Sequence, residues 1–200
     1  MTKILDEPLL RQTLITLLDI VQPAIDGVEY RLVGTSAALL RGVQLTAGDI
    51  DLLFREREAV TRLHDELSKS PATECLKGPV WMPDAKQYFA RYLVDGVMVE
   101  LSTVEVEVDG ENDTLECFGR GPWQHFDRIP CGPYWVPTVS LELRLLTELH
   151  RGRPEKYHPI VDHLHMHGCD LELVLRGLAM HKISQQLHSE VLARLEDAAS

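Results

Sequence analysis

Between Glu7 and Gln22 the apolar residues Leu10, Leu14, Leu17, Leu18 and Val21 recur at spacings of three and four. That spacing predicts an amphipathic helix, ended by Pro23. The pattern then changes. Val28 to Val33 reads as a buried strand broken by Gly34, and Thr35 and Ser36 are good N-cap residues for a short helix that stops at Gly42. DIDLLF, from Asp49 to Phe54, predicts the next strand, and Val60, Leu63 and Leu67 predict a helix within 55–69. Residues 70–86, which hold three prolines, read as a loop.

QYFARYLV and VMVELSTV flank Asp95-Gly96, and Asp-Gly between two β-rich runs predicts a tight hairpin. From Glu105 to Val136 no period is sustained, so an irregular connection with room for one more strand is expected. After Thr138 the chain turns helical, with predicted helices in VSLELRLLTELH, around Tyr157 to His167, in DLELVLRGLAMHK and in SQQLHSEVLARLED. The shift from strands to helices predicts two parts, 1–136 and 137–200, with a lobe boundary near Val136.

Composition narrows the function. Of the 200 residues, 44% are hydrophobic, enough for one sizeable core or two small lobes. No run approaches the roughly 20 apolar residues of a membrane span, and MTKILDEPLL lacks the basic start and apolar stretch of a secretory signal. Cys75, Cys117, Cys131 and Cys169 are widely spaced, without a CxxC pair. A cytoplasmic protein with no membrane contact is expected. Lys and Arg number 20 against 31 Asp and Glu, and the net charge of -11 repels a phosphate backbone, so a polymeric nucleic acid is not the expected substrate.

The chemistry begins at Asp49 and Asp51. Two apart on a strand, their side chains leave the same face with Cα atoms about 6.6 Å apart, within reach of one cation. Two like charges side by side are costly without a cation or a proton, and hard oxygen ligands suit Mg²⁺. Upstream, a strand runs into Gly34, Thr35 and Ser36 at a helix start, where backbone N–H groups and hydroxyls can hold phosphate oxygens.

These two segments, Val33-Gly34-Thr35-Ser36 and Gly48-Asp49-Ile50-Asp51-Leu52, resemble the signature of the nucleotidyltransferase superfamily that includes DNA polymerase beta. The likeness is greatest to small bacterial members such as aminoglycoside and lincosamide nucleotidyltransferases. Thr35 stands where a second Gly is common, and Ser36 keeps the hydroxyl. The resemblance implies an α+β fold, a small mixed β-sheet with flanking helices followed by a C-terminal helical lobe. It implies a third carboxylate on a later strand, in the context that Glu100 occupies, with Glu105 or Glu107 as alternatives if the strand register differs. It also implies that Asp49, Asp51 and Glu100 are catalytic and bind Mg²⁺, and that Gly34, Thr35 and Ser36 contact a nucleoside triphosphate. In HRGRPEKYHPIVDHL it implicates Arg153 and Lys156 in approaching that triphosphate, and Asp162 in organising the helices.

The expected reaction is transfer of a nucleoside monophosphate to a small hydroxylated acceptor, such as an antibiotic. Transfer to a protein or a tRNA end, and silent nucleotide binding, are the alternatives. His163, His165, His167 and Cys169 invite a zinc site, but on a helix only His163 and His167 share a face, and cationic imidazoles stabilised by a helix C-terminus are expected instead. Trp81, Trp123 and Trp135 are expected in a core or a lobe interface rather than beneath a base.

Overall fold

The computed structural model describes residues 3–104, 112–181 and 183–196. The chain opens with α1 (Glu7–Ile25), β1 (Tyr30–Val33), α2 (Gly34–Leu40), β2 (Asp49–Phe54) and α3 (Arg57–Leu67). Three strands follow, β3 (Thr73–Met82), β4 (Gln87–Val94) and β5 (Val97–Val104), then the short α4 (Gly121–Gln124), β6 (Phe126–Cys131) and β7 (Tyr134–Val139). Four helices complete it: α5 (Leu141–His150), α6 (Pro154–His167), α7 (Leu171–Met180) and α8 (Gln185–Glu196). The fold is α+β, with one mixed seven-stranded sheet in the order β3-β4-β5-β2-β1-β7-β6.

Local chemistry explains most of these elements. Asp6 caps α1 by accepting a hydrogen bond from the Leu9 N–H, and Ser140 and Asp170 cap α5 and α7 in the same way. At the β4–β5 turn Asp95 and Gly96 both have positive φ, 49° and 81°, as the predicted two-residue hairpin requires.

Three expectations are corrected. The first helix continues through Pro23 to Ile25, because a proline in the last turn removes only one backbone bond. Much of the predicted loop 70–86 is β3, an edge strand that among the described residues pairs with β4 alone. Its register shifts between Cys75 and Val80, around Gly78 and Pro79, and an edge with bulges tolerates a proline that a central strand would not. The segment expected to be irregular contributes two strands, β6 and β7, and β7 joins β1 in parallel at Leu32 and Thr138.

Two hydrophobic clusters hold the molecule together. In the larger, α1 and α3 pack against the sheet through Leu10, Leu14, Leu17, Val60, Leu63 and Leu67, which meet Val99 and Leu101 of β5. The smaller joins α5 to α8 through Leu145, Leu146, Ile160, Val161, Val174 and Leu178. Helix α2 serves both, since Ala37, Leu39 and Leu40 belong to the larger cluster and Ala38 to the smaller. Val136 lies within β7, and the helices begin at Leu141. No helix among the described residues is long and apolar enough to cross a membrane.

Candidate active site

In β2 the buried residues Ile50 and Leu52 alternate with Asp49 and Asp51, which therefore share the face turned away from α1 and α3. The same alternation in β5 buries Val99 and Leu101 and leaves Glu100 on that face. Because β2 and β5 are parallel neighbours, Asp51 lies directly beside Glu100. The row continues on both sides: Arg91 of β4 opposes Glu100, and Val33 of β1 opposes Asp51. Four strands separated in sequence thus line up Arg91, Glu100, Asp51 and the residue before Gly34.

The ligand oxygens of Asp49, Asp51 and Glu100 all lie within 4.8 Å of one another. Among the described residues, this is the one group of three or more His, Cys, Asp or Glu side chains close enough to share a metal ion. Glu100 is ion-paired to Arg91, whose Nε and Nη2 reach Oε1 at 2.8 and 2.6 Å. Both contacts fall on Oε1. Asp49 and Asp51 make no ion pair with a described residue. Burial, then the neighbouring charges of Asp49, Glu100 and Glu116, push the Asp51 carboxyl up to about 8 against the opposing effect of Arg144. This all-oxygen, partly exposed set, whose mutual repulsion a cation would relieve, fits a hard divalent ion such as Mg²⁺.

Gly34 has φ +72°, and a Cβ built there falls inside the contact distance of Asp51 Oδ2 and 3.1 Å from its Cγ. Only glycine lets the chain turn beside the carboxylate. The Gly34 N–H donates to Glu116 Oε1, and Arg144 Nη2 donates to Thr35 Oγ1 at 3.4 Å. Ser36 is fully buried, and its hydroxyl donates to the Val33 carbonyl at 3.0 Å.

Behind this loop lies an ion network that sequence reasoning missed. Arg144 donates from Nη1 to Glu116 Oε2 at 2.7 Å, and its Nη2 pairs with Glu148 Oε1, which Arg153 Nη2 also reaches at 2.5 Å. Glu116, Arg144 and Glu148 are buried. The i,i+4 pair Arg144 and Glu148, set in a leucine-rich helix, was a readable signal. Glu116, in a segment without a period, offered none.

The remaining expected residues are distributed as follows. Arg153 is held by Glu148, and Lys156 Nζ donates to the Thr46 carbonyl at 3.1 Å, three residues before Asp49. Asp162 pairs with Arg194 of α8. Glu105 and Glu107 lie outside the described residues. His163 and His167 stack with ring centroids 4.1 Å apart, and burial first, then His167 and Arg41, lower the pKa of His163. That direction disfavours on His163 the cationic imidazole expected near the helix C-terminus. Arg57 lies over Trp81 and Arg31 over Trp123, whereas Trp135 is 63% exposed on the β6–β7 hairpin, against expectation.

No protein-family model and no curated protein sequence matches the chain. Solved structures do. A provisionally named nucleotidyltransferase from Thermotoga maritima aligns at TM-score 0.55 and 19% identity, covering 80% of this chain and 95% of its own. An antigenic nucleotidyltransferase-like protein from Paracoccidioides brasiliensis aligns at TM-score 0.51 and 14% identity over 96% of this chain and 95% of its own. ANT(2'')-Ia, in complex with adenylyl-2''-tobramycin, aligns at TM-score 0.54 and 14% identity over 85% and 97%. At such identities the likeness speaks for architecture, and the architecture of this chain is the nucleotidyltransferase fold.

Proposed function

We propose that the protein is a Mg²⁺-dependent nucleotidyltransferase that moves a nucleoside monophosphate from a nucleoside triphosphate to a hydroxyl of a small molecule. The observation that carries this reading is the convergence of Asp49, Asp51 and Glu100 within 4.8 Å, beside a glycine turn that leaves no room for a side chain. Asp49 and Asp51, with Glu100, would hold Mg²⁺, which supplies charge neutralisation at the reacting phosphate and lowers the pKa of a bound hydroxyl. The acceptor oxygen forms a bond to the α-phosphorus while the bond to the bridging α–β oxygen breaks, and pyrophosphate leaves. The hydroxyl proton passes to the carboxylate cluster, and Glu100 Oε2, which Arg91 does not engage, is the assigned acceptor.

Around the triphosphate, we assign the roles to groups on the glycine turn and on the elements that flank it. The N–H of Gly34, by exchanging Glu116 for phosphate, and the hydroxyl of Thr35 are the assigned loop donors; Ser36, by its bond to Val33, holds the turn. Lys156 stands by the Thr46 turn that leads to Asp49, and Arg153 joins it by exchanging Glu148 for phosphate. Positioning and charge neutralisation dominate phosphoryl chemistry, and these are the contributions we assign to this set. A small acceptor is supported by the neighbour solved with adenylyl-2''-tobramycin and by the acidic surface, which disfavours polynucleotides.

The test is transfer of α-labelled ATP, GTP, CTP or UTP, with Mg²⁺, to a panel of aminoglycosides, lincosamides, other hydroxylated small molecules, proteins and tRNA. Label should appear on a small molecule with wild type and not with Asp49→Asn. Mg²⁺ with the preferred triphosphate should raise Tm, by about 2.7 kcal/mol of stabilisation at 100 times Kd. No Tm shift at millimolar triphosphate, or label on protein or tRNA alone, overturns the reading.

A further inference from the structure

A pocket of about 260 Å³ lies between the segment Leu115–Phe118 and the C-terminal ends of α5 and α7. Leu115, Phe118 and Leu146 give it apolar walls, and Thr147, His150, Arg151 and His181 supply its polar groups. Glu116 is also in the wall, and its carboxylate is the one bonded to the Gly34 N–H and to Arg144. The pocket therefore adjoins the proposed phosphate loop through a single residue. Next to it, Cys117 feels the charges of both Glu116 and Asp51.

The charge of this pocket is opposite to that of the chain as a whole. Glu116 is neutralised within its ion network, whereas Arg151 is exposed and makes no ion pair or side-chain hydrogen bond with a described residue. The His150 and His181 rings are 5.9 Å apart, and His181 Nε2 lies 3.0 Å from Thr114 Oγ1. Apolar walls with a few convergent polar groups are the ordinary make-up of a small-molecule site. At about 260 Å³ the volume suits one or two fused rings rather than a multi-ring aminoglycoside, and Arg151 repels a polycation.

Resting on the nucleotidyl-transfer reading above, we propose that this pocket is the acceptor subsite and that it takes a hydroxylated aromatic or apolar molecule bearing a carboxylate. The carboxylate pairs with Arg151, the ring lies against Leu115, Phe118 and Leu146, and the hydroxyl is directed past Glu116 toward the carboxylate cluster. Guanidinium and carboxylate match in a bidentate pair, which fixes the orientation of the ring as well as its charge.

The probe is 6-hydroxy-2-naphthoate, whose fluorescence reports binding without any transfer, compared with its neutral analogue 6-hydroxy-2-naphthalenemethanol and with tobramycin. Saturable binding of the naphthoate to the full chain is expected. Arg151→Ala should weaken it at least 10-fold while changing the neutral analogue less than 2-fold, and Arg151→Lys should recover much of the loss. Thr147→Trp should weaken both compounds by filling the pocket, with circular dichroism confirming the fold. Absence of saturable binding at millimolar probe, indifference to Arg151→Ala, or displacement of the probe by ATP or tobramycin overturns the proposal. With α-labelled triphosphate and Mg²⁺, label on the naphthoate supports it. Label on tobramycin and not on the naphthoate overturns the subsite and leaves nucleotidyl transfer standing; label on no acceptor, with wild type indistinguishable from Asp49→Asn, defeats the transfer reading itself.

Discussion

Asp51 occupies the space that a side chain at Gly34 would need: a Cβ there overlaps Oδ2 and lies 3.1 Å from Cγ. The pairing of Val33 with Asp51 across β1 and β2 brings them together, and the positive φ of Gly34 turns the chain at that point. The carboxylate and the turn are one construction.

Gly34→Ala therefore combines backbone strain with a collision, whereas Gly27→Ala, at φ +71° with nothing within 4 Å of a built Cβ, meets strain alone. Gly27→Ala is expected to cost about 1 kcal/mol. Gly34→Ala should cost roughly 2–4 kcal/mol and abolish transfer, because Asp51 must move. Urea unfolding of both variants checks the difference, and equal costs would remove the steric argument.

Asp51 gives the metal-free protein a pH dependence whose sign is opposite to that of a salt-bridged carboxylate. Its folded pKa is about 8, against an ordinary value of 3.8, so between those limits the folded state binds more protons than the unfolded state and stability falls as pH rises. Asp51→Asn cannot ionise and escapes this loss. In EDTA the variant should be more stable than wild type, by a margin that widens by about 1 kcal/mol or more from pH 5 to pH 8. Melting curves at both pH values measure it, and a margin that narrows toward pH 8 contradicts the assigned electrostatics.

Glu100→Gln keeps the shape of the side chain and removes its negative charge and its capacity to take a proton. We expect the single-turnover transfer rate to fall roughly 10²-fold or more while triphosphate affinity changes much less. A titration and a rate on one preparation separate the roles. Lost triphosphate binding would make Glu100 chiefly a metal ligand.

Arg144 sits between two buried carboxylates, so Arg144→Met leaves Glu116 without a cation and Glu148 with Arg153 alone. The cost should be about 3–5 kcal/mol, the scale of breaking a buried ion pair from one side. Adding Glu116→Gln and Glu148→Gln should restore a large part of it. Denaturant midpoints of the single and triple variants report this, and a triple variant no more stable than the single one would mean that packing, not charge, sets the role of Arg144.

Short-range pattern determined much of this protein. The strand Asp49–Phe54, the hairpin on Asp95-Gly96 and the C-terminal helices were legible because alternation, turn chemistry and 3.6-residue spacing are properties of neighbours along the chain. The same alternation indicated that Asp49 and Asp51 leave one face, while Glu100 was reached through the family resemblance. Tertiary structure alone decided what lies beside them. Strand order and register put Glu100 next to Asp51 and Gly34 against Asp51, and no local pattern encodes which strands become neighbours across tens of residues; Arg91 beside Glu100, by contrast, follows from the local hairpin. Edge position made a strand of Thr73–Met82 despite Pro79, since an unpaired side tolerates a missing N–H. In the buried ion network the i,i+4 pair Arg144–Glu148 was legible, whereas Glu116 was hidden for a related reason: it meets Arg144 across 28 residues, and a sequence shows such charges without showing the meeting.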